Sequence, residues 1–136
     1  MSVRQVFKAT VVGLRSYDAF DADILLGFGV RLRRRVVVEG IVLRKYTREQ
    51  LPSLYRALTL VLAGKRVLLL ADPSQQQEII RAAVYYDERE PAGGVWIEDV
   101  PGYGRRMNVG LFVSAMAPGF HLADVRGLLN NRAEVA

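Results

Sequence analysis

The chain has 136 residues, of which 51% are hydrophobic and 24% charged, a balance that indicates one folded domain over residues 1–136 and excludes a disordered chain. It contains no cysteine and one histidine, which excludes disulfides, thiolate metal sites, cysteine nucleophiles and histidine-rich metal centres. The net charge of +5 favours a phosphate-bearing or acidic partner, and no apolar run approaches the roughly 20 residues that cross a bilayer, so we expect a cytoplasmic protein with no membrane partner.

Three candidate strands open the chain. Residues 3–14 are rich in β-branched and aromatic types, and residues 18–26 alternate between apolar and acidic side chains. Gly27 and Gly29 indicate a turn or bulge before a third strand, which runs from residue 30 to about residue 43. Three successive strands joined by short turns predict an antiparallel meander.

An amphipathic helix follows the strands. Its apolar residues recur at the i, i+3, i+4, i+7 spacing of a helix and comprise Leu51, Leu54, Tyr55, Leu58, Val61 and Leu62. Thr47 is expected to cap the N-terminus, with Gln50 completing a capping box, and Gly64 is expected to stop the helix.

The second half of the chain alternates short strands and helices. We predict strands at residues 65–71, 78–86 and 95–100, turns at residues 72–74 and 101–104, and helices at residues 108–116 and 122–129. The whole order predicts a β-rich α+β fold.

Two stretches of the chain carry a family pattern. Residues 16–29 read Ser-Tyr-Asp-Ala-Phe-Asp-Ala-Asp-Ile-Leu-Leu-Gly-Phe-Gly, and residues 35–45 read Arg-Val-Val-Val-Glu-Gly-Ile-Val-Leu-Arg-Lys. This resembles the phage-type branch of the staphylococcal (micrococcal) nuclease family, whose pattern runs Asp-Gly-Asp-Thr, an acidic alternation, Leu-Gly-Phe-Gly and then Arg-Leu-x-Gly-Ile-Asp-x-Pro-Glu. Residues 81–87 resemble the family's Arg-x-Leu-Ala-x-Ile-Tyr segment, and Asn108 matches an asparagine at the start of its second helix. The resemblance implies a five- to six-stranded OB-like antiparallel barrel with two to three flanking helices.

The resemblance also implies which residues would form a catalytic site. In the family, two aspartates hold calcium, a glutamate activates the attacking water and two arginines stabilise the charge on the phosphate. Asp18 matches the first aspartate and Arg81 the second arginine. The first arginine falls on Val37, the second aspartate on Val42 and the glutamate on Lys45. None of these three side chains can perform the role of the family residue at its position, so we expect an inactive nuclease scaffold. We also expect no cofactor, because calcium would be required only if nuclease activity persists.

Two rearrangements would restore part of a site. Asp18, Asp21 and Asp23 are candidate ligands of a displaced metal ion, and Arg35 is a candidate replacement for the lost arginine. Asp21 and Asp23 share the outward face of their strand, where carboxylates are more often solvated. Glu39 could act as a base, although pairing with a neighbouring arginine is the commoner role.

Basic residues in and after the third strand form the strongest candidate binding surface: Arg31, Arg33, Arg34, Arg35, Arg44, Lys45 and Arg48. Three of them, Arg31, Arg33 and Arg35, would project from one side of the strand. They either bind a partner or pair with Asp21 and Asp23 across the neighbouring strand. Single-stranded nucleic acid would also need exposed aromatic rings, and those in predicted turns are Tyr17, Phe28, Tyr46 and Tyr103.

The leading hypothesis is a catalytically inactive phage protein that docks on host machinery in the host cytoplasm and modulates it. By analogy alone, the first expected partner is host RNA polymerase or another nucleic-acid enzyme. The docking surface would be the basic residues or the apolar Leu128 and Leu129, while His121 and Trp96 are expected to pack. The alternatives are a residual calcium-dependent nuclease and a single-stranded nucleic-acid-binding protein.

Overall fold

The described part of the chain forms a small barrel with two helices and a separate hairpin. The computed structural model describes residues 4–73, 78–88 and 96–116. The strands are β1 (Gln5–Leu14), β2 (Ala19–Gly27), β3 (Val30–Val38), β4 (Arg66–Ala71), β5 (Ile79–Tyr86), β6 (Ile97–Val100) and β7 (Gly104–Met107). The helices are α1 (Leu51–Leu62) and α2 (Val109–Met116), with a 3-10 turn at Leu43–Lys45. The helix predicted at residues 122–129 lies outside the described residues, as do His121, Leu128 and Leu129.

Five strands close the barrel in the order β1-β2-β3-β5-β4, with β4 paired back onto β1. This confirms the predicted β-rich OB-like barrel with flanking helices, with one correction. The β3–β5 pair is parallel, whereas the prediction was antiparallel throughout. The reason is the crossover: after β3 the chain passes through α1 and β4, so β5 returns alongside β3 in the same direction.

The barrel core follows from strand alternation. Phe20, Ala22 and Ile24 of β2 point inward and are buried, and Val36 and Val38 of β3 do the same. The apolar side of α1 covers this core with Leu54, Leu58 and Val61, as its helical spacing predicts. The Tyr86 hydroxyl donates to the Val61 carbonyl at 2.7 Å, which ties the helix to β5.

The start of α1 differs from the prediction, while its end is confirmed. The helix begins at Leu51 with Gln50 as its N-cap residue, and no side chain caps it. The Gln50 side chain accepts the Thr47 backbone N–H at 2.8 Å, so only the reciprocal half of the capping box forms. Thr47 cannot cap because residues 47–50 form a separate backbone turn. Gly64 adopts φ +68° just beyond the helix, as a C-terminal stop requires.

One strand prediction and one turn prediction were wrong at their ends. β3 stops at Val38, and not at about residue 43, because the chain turns at Gly40, which has φ +98°. Val42 therefore lies beyond the strand, and Lys45 ends the 3-10 turn. In the predicted turn at residues 101–104, Gly104 instead begins β7, which pairs with β6. The segment Gly-Arg-Arg-Met gave no alternation from which that strand could be predicted.

Candidate functional site

Asp18 and Arg81, the two residues that match reactive positions of the nuclease pattern, lie near one row of paired residues in the barrel. Ala19 of β2 pairs with Val37 of β3, and Val37 pairs with Arg81 of β5. Asp18 adjoins this row, because its carbonyl accepts the Val38 N–H at 2.8 Å. Its carboxylate accepts the Ser16 hydroxyl at 3.1 Å. The barrel thus places Val37, which has no polar group, between Arg81 and Ala19, the residue that follows Asp18.

The other two replaced positions lie in the loop that follows β3. Val42 is exposed, and its carbonyl accepts the Lys45 N–H at 3.0 Å at the 3-10 turn. Lys45 is also exposed. A valine offers no oxygen to a hard cation, and an ammonium group repels one. Across residues 4–73, 78–88 and 96–116, no group of three or more His, Cys, Asp or Glu side chains is arranged to hold a metal ion.

Asp21 and Asp23 face outward from β2 and are held by arginines. Asp23 accepts two hydrogen bonds from Arg33, at 2.8 Å from Nε and 3.2 Å from Nη2, and this hydrogen bonding lowers the pKa of Asp23. Asp21 accepts Nε of Arg15 at 2.5 Å and lies 3.9 Å from Nε of Arg35. The predicted cross-strand pairing is confirmed, and arginines contact both carboxylates.

The basic residues fall into two groups. Arg31, Arg33 and Arg35 project outward from β3, whereas Arg34 is half-buried on the opposite face and donates to the Arg33 carbonyl at 2.8 Å. A shallow cleft of about 250 Å³ is lined by four cations and two carboxylates, namely Arg15, Arg33, Arg34, Arg35, Asp21 and Glu78, together with Ile79. The second group, Arg44, Lys45 and Arg48, is exposed on the loop beyond the other end of β3. The two groups therefore do not form one continuous stripe along the strand.

Glu39 is an ion-pair partner, as predicted. Its carboxylate accepts Nη2 of Arg4, which precedes β1. The carboxylate thus has a partner within the barrel, which favours the ion-pair role over a catalytic one.

The turn between β2 and β3 carries an exposed apolar cluster, of which the sequence predicted only Phe28 as a candidate binding residue. Gly27 pairs with Val30, which leaves Phe28 and Gly29 as a two-residue turn with φ of +53° and +76°. Phe28 is fully exposed. Leu25, Leu26 and Val30 beside it are exposed as well. We call Leu25, Leu26, Phe28 and Val30 the ribbon tip.

The remaining candidate aromatic residues already have contacts within the chain. Tyr17 packs edge-on against Tyr55, with ring centroids 6.2 Å apart. The Tyr46 hydroxyl lies 3.3 Å from the Ser114 hydroxyl. The Tyr103 ring faces Nζ of Lys8 at 5.7 Å. Among the four predicted stacking residues, Phe28 is thus the one whose ring is fully exposed to solvent.

Trp96 packs edge-on against Phe112 with centroids 5.1 Å apart, which confirms its predicted packing role. Asn108 caps α2, since its Oδ1 accepts the Leu111 N–H at 3.0 Å. Its side-chain amide donates to Glu98 at 2.8 Å, and the Tyr85 hydroxyl donates to the same oxygen at 2.9 Å. Asn108 therefore joins β5, β6 and α2.

Comparison with protein-family models, with curated proteins and with solved structures finds no match to this chain. Among the described residues, no helix is long and apolar enough to span a membrane.

Proposed function

We propose that the chain is a catalytically inactive binding module, a staphylococcal-nuclease-like domain of the phage type that docks on a partner instead of cutting nucleic acid. The observation that carries the proposal is the row formed by Ala19, Val37 and Arg81. In the family that the chain resembles, two arginines would hold the phosphate, and they match Val37 and Arg81, so an apolar side chain replaces one of the two donors.

The size of the expected loss supports the absence of catalysis. Removal of a general base alone lowers a rate by about 10²- to 10⁴-fold. Loss of a charge-stabilising donor costs about 10²- to 10³-fold more, although such effects do not simply multiply. Val37, Val42 and Lys45 together replace the donor, the ligand and the base. Asp18 and Arg81 are then remnants of the pattern and not a working pair.

The basic surface supports docking on an acidic partner. Between Asp23 and Glu39 the sequence contains four arginines and no acidic residue. Arg33 and Arg35 lie close to carboxylates of β2, whereas Arg31 pairs in register with Leu25, which offers no charge. Arg31 thus provides a cation that makes no ion pair among the described residues, although its charge also acts on Asp23 across the ribbon. The partner we propose first, by analogy, is host RNA polymerase or another nucleoprotein of the host.

Single-stranded nucleic acid is a weaker candidate. Such binding combines a row of cations with several free aromatic rings. Three of the four candidate rings here have contacts within the chain, and Arg33 holds Asp23 with two hydrogen bonds.

Affinity capture from a detergent-cleared host lysate tests the proposed docking. We expect a partner in stoichiometric amount that survives nuclease treatment of the lysate. Its recovery should fall when Arg31→Ser is used as bait and persist with Arg31→Lys, which keeps the charge. An empty wild-type bait would contradict the proposal. A partner lost on nuclease treatment would favour nucleic acid.

A further inference from the structure

The β2–β3 pair extends beyond the barrel as a two-stranded ribbon. β1 pairs with β2 only as far as Ile24, and β5 pairs with β3 only from Arg35 onward. Between these points the two strands pair with each other up to Gly27 and Val30. Among the described strands, none pairs with this end of the ribbon, although Phe7 of β1 and Ala71 of β4 line a cleft beside Leu26. The ribbon tip is therefore presented away from the barrel core.

Phe28 sits at the ribbon tip at an energetic cost. Its φ of +53° is the one positive φ of a non-glycine residue within the described part of the chain. Two-residue hairpin turns with positive φ at both positions favour Asn, Asp or Gly at the first of them. A phenylalanine there strains the backbone and leaves a whole aromatic ring in water. Strain and exposure together indicate that the ring serves a contact outside the chain.

The apolar residues of the ribbon tip cover both faces of the ribbon. Leu25 lies on the outer face, where it pairs with Arg31. Leu26 is exposed towards the other face, at a cleft of about 180 Å³ that Phe7 of β1 and Ala71 of β4 also line. Exposed apolar side chains thus lie on the outer face and at the end of the ribbon, and Leu26 adds to them beside the cleft. A pocket on a protein usually accepts one side chain or one face, whereas the boundary of a lipid bilayer surrounds an inserted tip completely.

The charges behind the tip match the surface of an anionic bilayer. Arg31 follows Val30 directly, and the carboxylates Asp21 and Asp23 lie farther back towards the barrel. Phe28 and Arg31 are three residues apart, which is at most about 10 Å along a strand. Side chains that lie in the membrane interface reach about 5–10 Å into it, so a buried Phe28 would leave Arg31 at the level of the lipid phosphates.

We infer that the ribbon tip binds the surface of an anionic lipid bilayer, with Phe28, Leu25, Leu26 and Val30 at the acyl boundary and Arg31 at the phosphates. This goes beyond the proposed docking function. The expectation of no membrane partner depended on the lack of a spanning apolar run, and a ribbon that lies in the interface needs no such run. Insertion of the apolar tip and attraction of Arg31 to the lipid phosphates act together, because each contribution is weak by itself.

The test measures how much of the full chain co-sediments with vesicles. One set is phosphatidylcholine alone, and the other is phosphatidylcholine with an equal amount of phosphatidylglycerol. We expect binding to the anionic set, weakened by salt, and a loss of about tenfold or more in the partition coefficient of Phe28→Asn. Tyr17→Asn is the matched control, since it removes an exposed aromatic residue from the bend at the other end of β2, and it should bind like the wild type.

A second readout reports insertion directly. Phe28→Trp adds an indole to a chain with a single other tryptophan, and its emission should shift to shorter wavelength on anionic vesicles. Tyr17→Trp should show no shift. Failure of the wild type to bind anionic vesicles at low salt would overturn the inference, as would equal binding by Phe28→Asn. The inference would also be overturned if the chain bound a soluble protein through Phe28 and did not bind vesicles. The capture from a cleared lysate contains no bilayer, so it tests the docking proposal independently of membrane binding.

Discussion

Phe28 occupies a backbone conformation that most side chains avoid. Left-handed backbone costs an L-residue other than glycine about 1–2 kcal/mol, and asparagine tolerates it better. The ring is fully exposed and has little packing to lose. The native residue is thus less favourable for folding than a simple turn residue would be.

Replacing Phe28 should therefore stabilise the protein. Phe28→Asn is expected to raise the free energy of unfolding by about 1 kcal/mol, because it relieves the turn. Gly29→Ala is the opposite control and should destabilise, since Gly29 also has positive φ. Chemical denaturation of the three proteins measures both effects. A lower midpoint for Phe28→Asn would show that the ring stabilises the fold and would weaken the case for an external contact.

Tyr85 has a buried hydroxyl group whose ionisation is suppressed. Burial is the main cause and the hydrogen bond to Glu98 adds to it, so that the pKa of Tyr85 rises to about 12. Because the folded pKa exceeds the unfolded value of about 10, the folded state favours the protonated form. The resulting stabilisation is fully present below about pH 10 and is lost as the pH rises towards 12.

Titration of tyrosinate absorbance checks this prediction. The difference between the wild-type and Tyr85→Phe curves isolates one group, and its midpoint is expected near pH 12. Over the same range, the free energy of unfolding should fall more steeply for the wild type than for Tyr85→Phe. A midpoint near pH 10 would mean that the hydroxyl is accessible to water.

At the scale of elements, α2 depends on a close approach to the end of β3. A Cβ at Gly110 would lie 2.1 Å from the Glu39 carbonyl oxygen, which is backbone and cannot rotate away. The same turn contains Gly40, whose own Cβ would lie 3.3 Å from the Gly110 carbonyl carbon. The two glycines let the helix seat directly against the turn.

Gly110→Ala should therefore destabilise the protein strongly. We expect a loss of about 3 kcal/mol, since overpacking against backbone outweighs the gain in helix propensity. Gly13→Ala is the matched control, because a Cβ there meets nothing within 4 Å. Thermal and chemical denaturation compare the two variants. Equal stability of Gly110→Ala and the wild type would show that α2 packs differently.

The ion pair on the outer face of the ribbon makes the stability of the fold depend on pH. Hydrogen bonding from Arg33 lowers the pKa of Asp23, so the pair stabilises the fold above the unfolded pKa of about 3.9 and loses that contribution as the pH falls through the lower folded pKa. Asp23→Asn should flatten this acid limb of the stability curve. Parallel curves for variant and wild type would contradict the pairing.

The spacing of apolar residues along the sequence predicted the strands and helices well where that spacing was regular. The alternation of β2 gave the buried Phe20 and the outward Asp21, and the helical spacing gave the apolar face of α1. The end of β3 was missed because its apolar residues continue past Gly40. The parallel β3–β5 pair was missed because it depends on how the chain crosses the barrel, which no local window contains.

At the scale of the whole molecule, the sequence located the charged contacts better than the exposed apolar ones. Side chains alternate along a strand, so Asp21 and Asp23 were expected on one face, opposite the arginines of the next strand. The structure pairs Asp23 with Arg33 and Asp21 with Arg35. Leu25 and Leu26 read as ordinary strand residues, which are usually buried. Their exposure follows from where β1 and β5 stop pairing, and that is set by the closed barrel.

In the barrel as a whole, Val37 pairs with Ala19 on one side and with Arg81 on the other, whereas Val42 and Lys45 lie exposed in the loop after β3. We propose that this scaffold serves binding and not catalysis. The β2–β3 ribbon would provide the binding surface, because its tip is exposed and its Arg31 makes no ion pair among the described residues.

The most direct test of catalytic inactivity is a digestion of DNA and RNA with the purified chain in excess calcium. We predict no cleavage above the buffer control, and no difference between the wild type and Asp18→Ala. Cleavage by the wild type that disappears in Asp18→Ala would show that Asp18 still supports a working site, and would contradict the account.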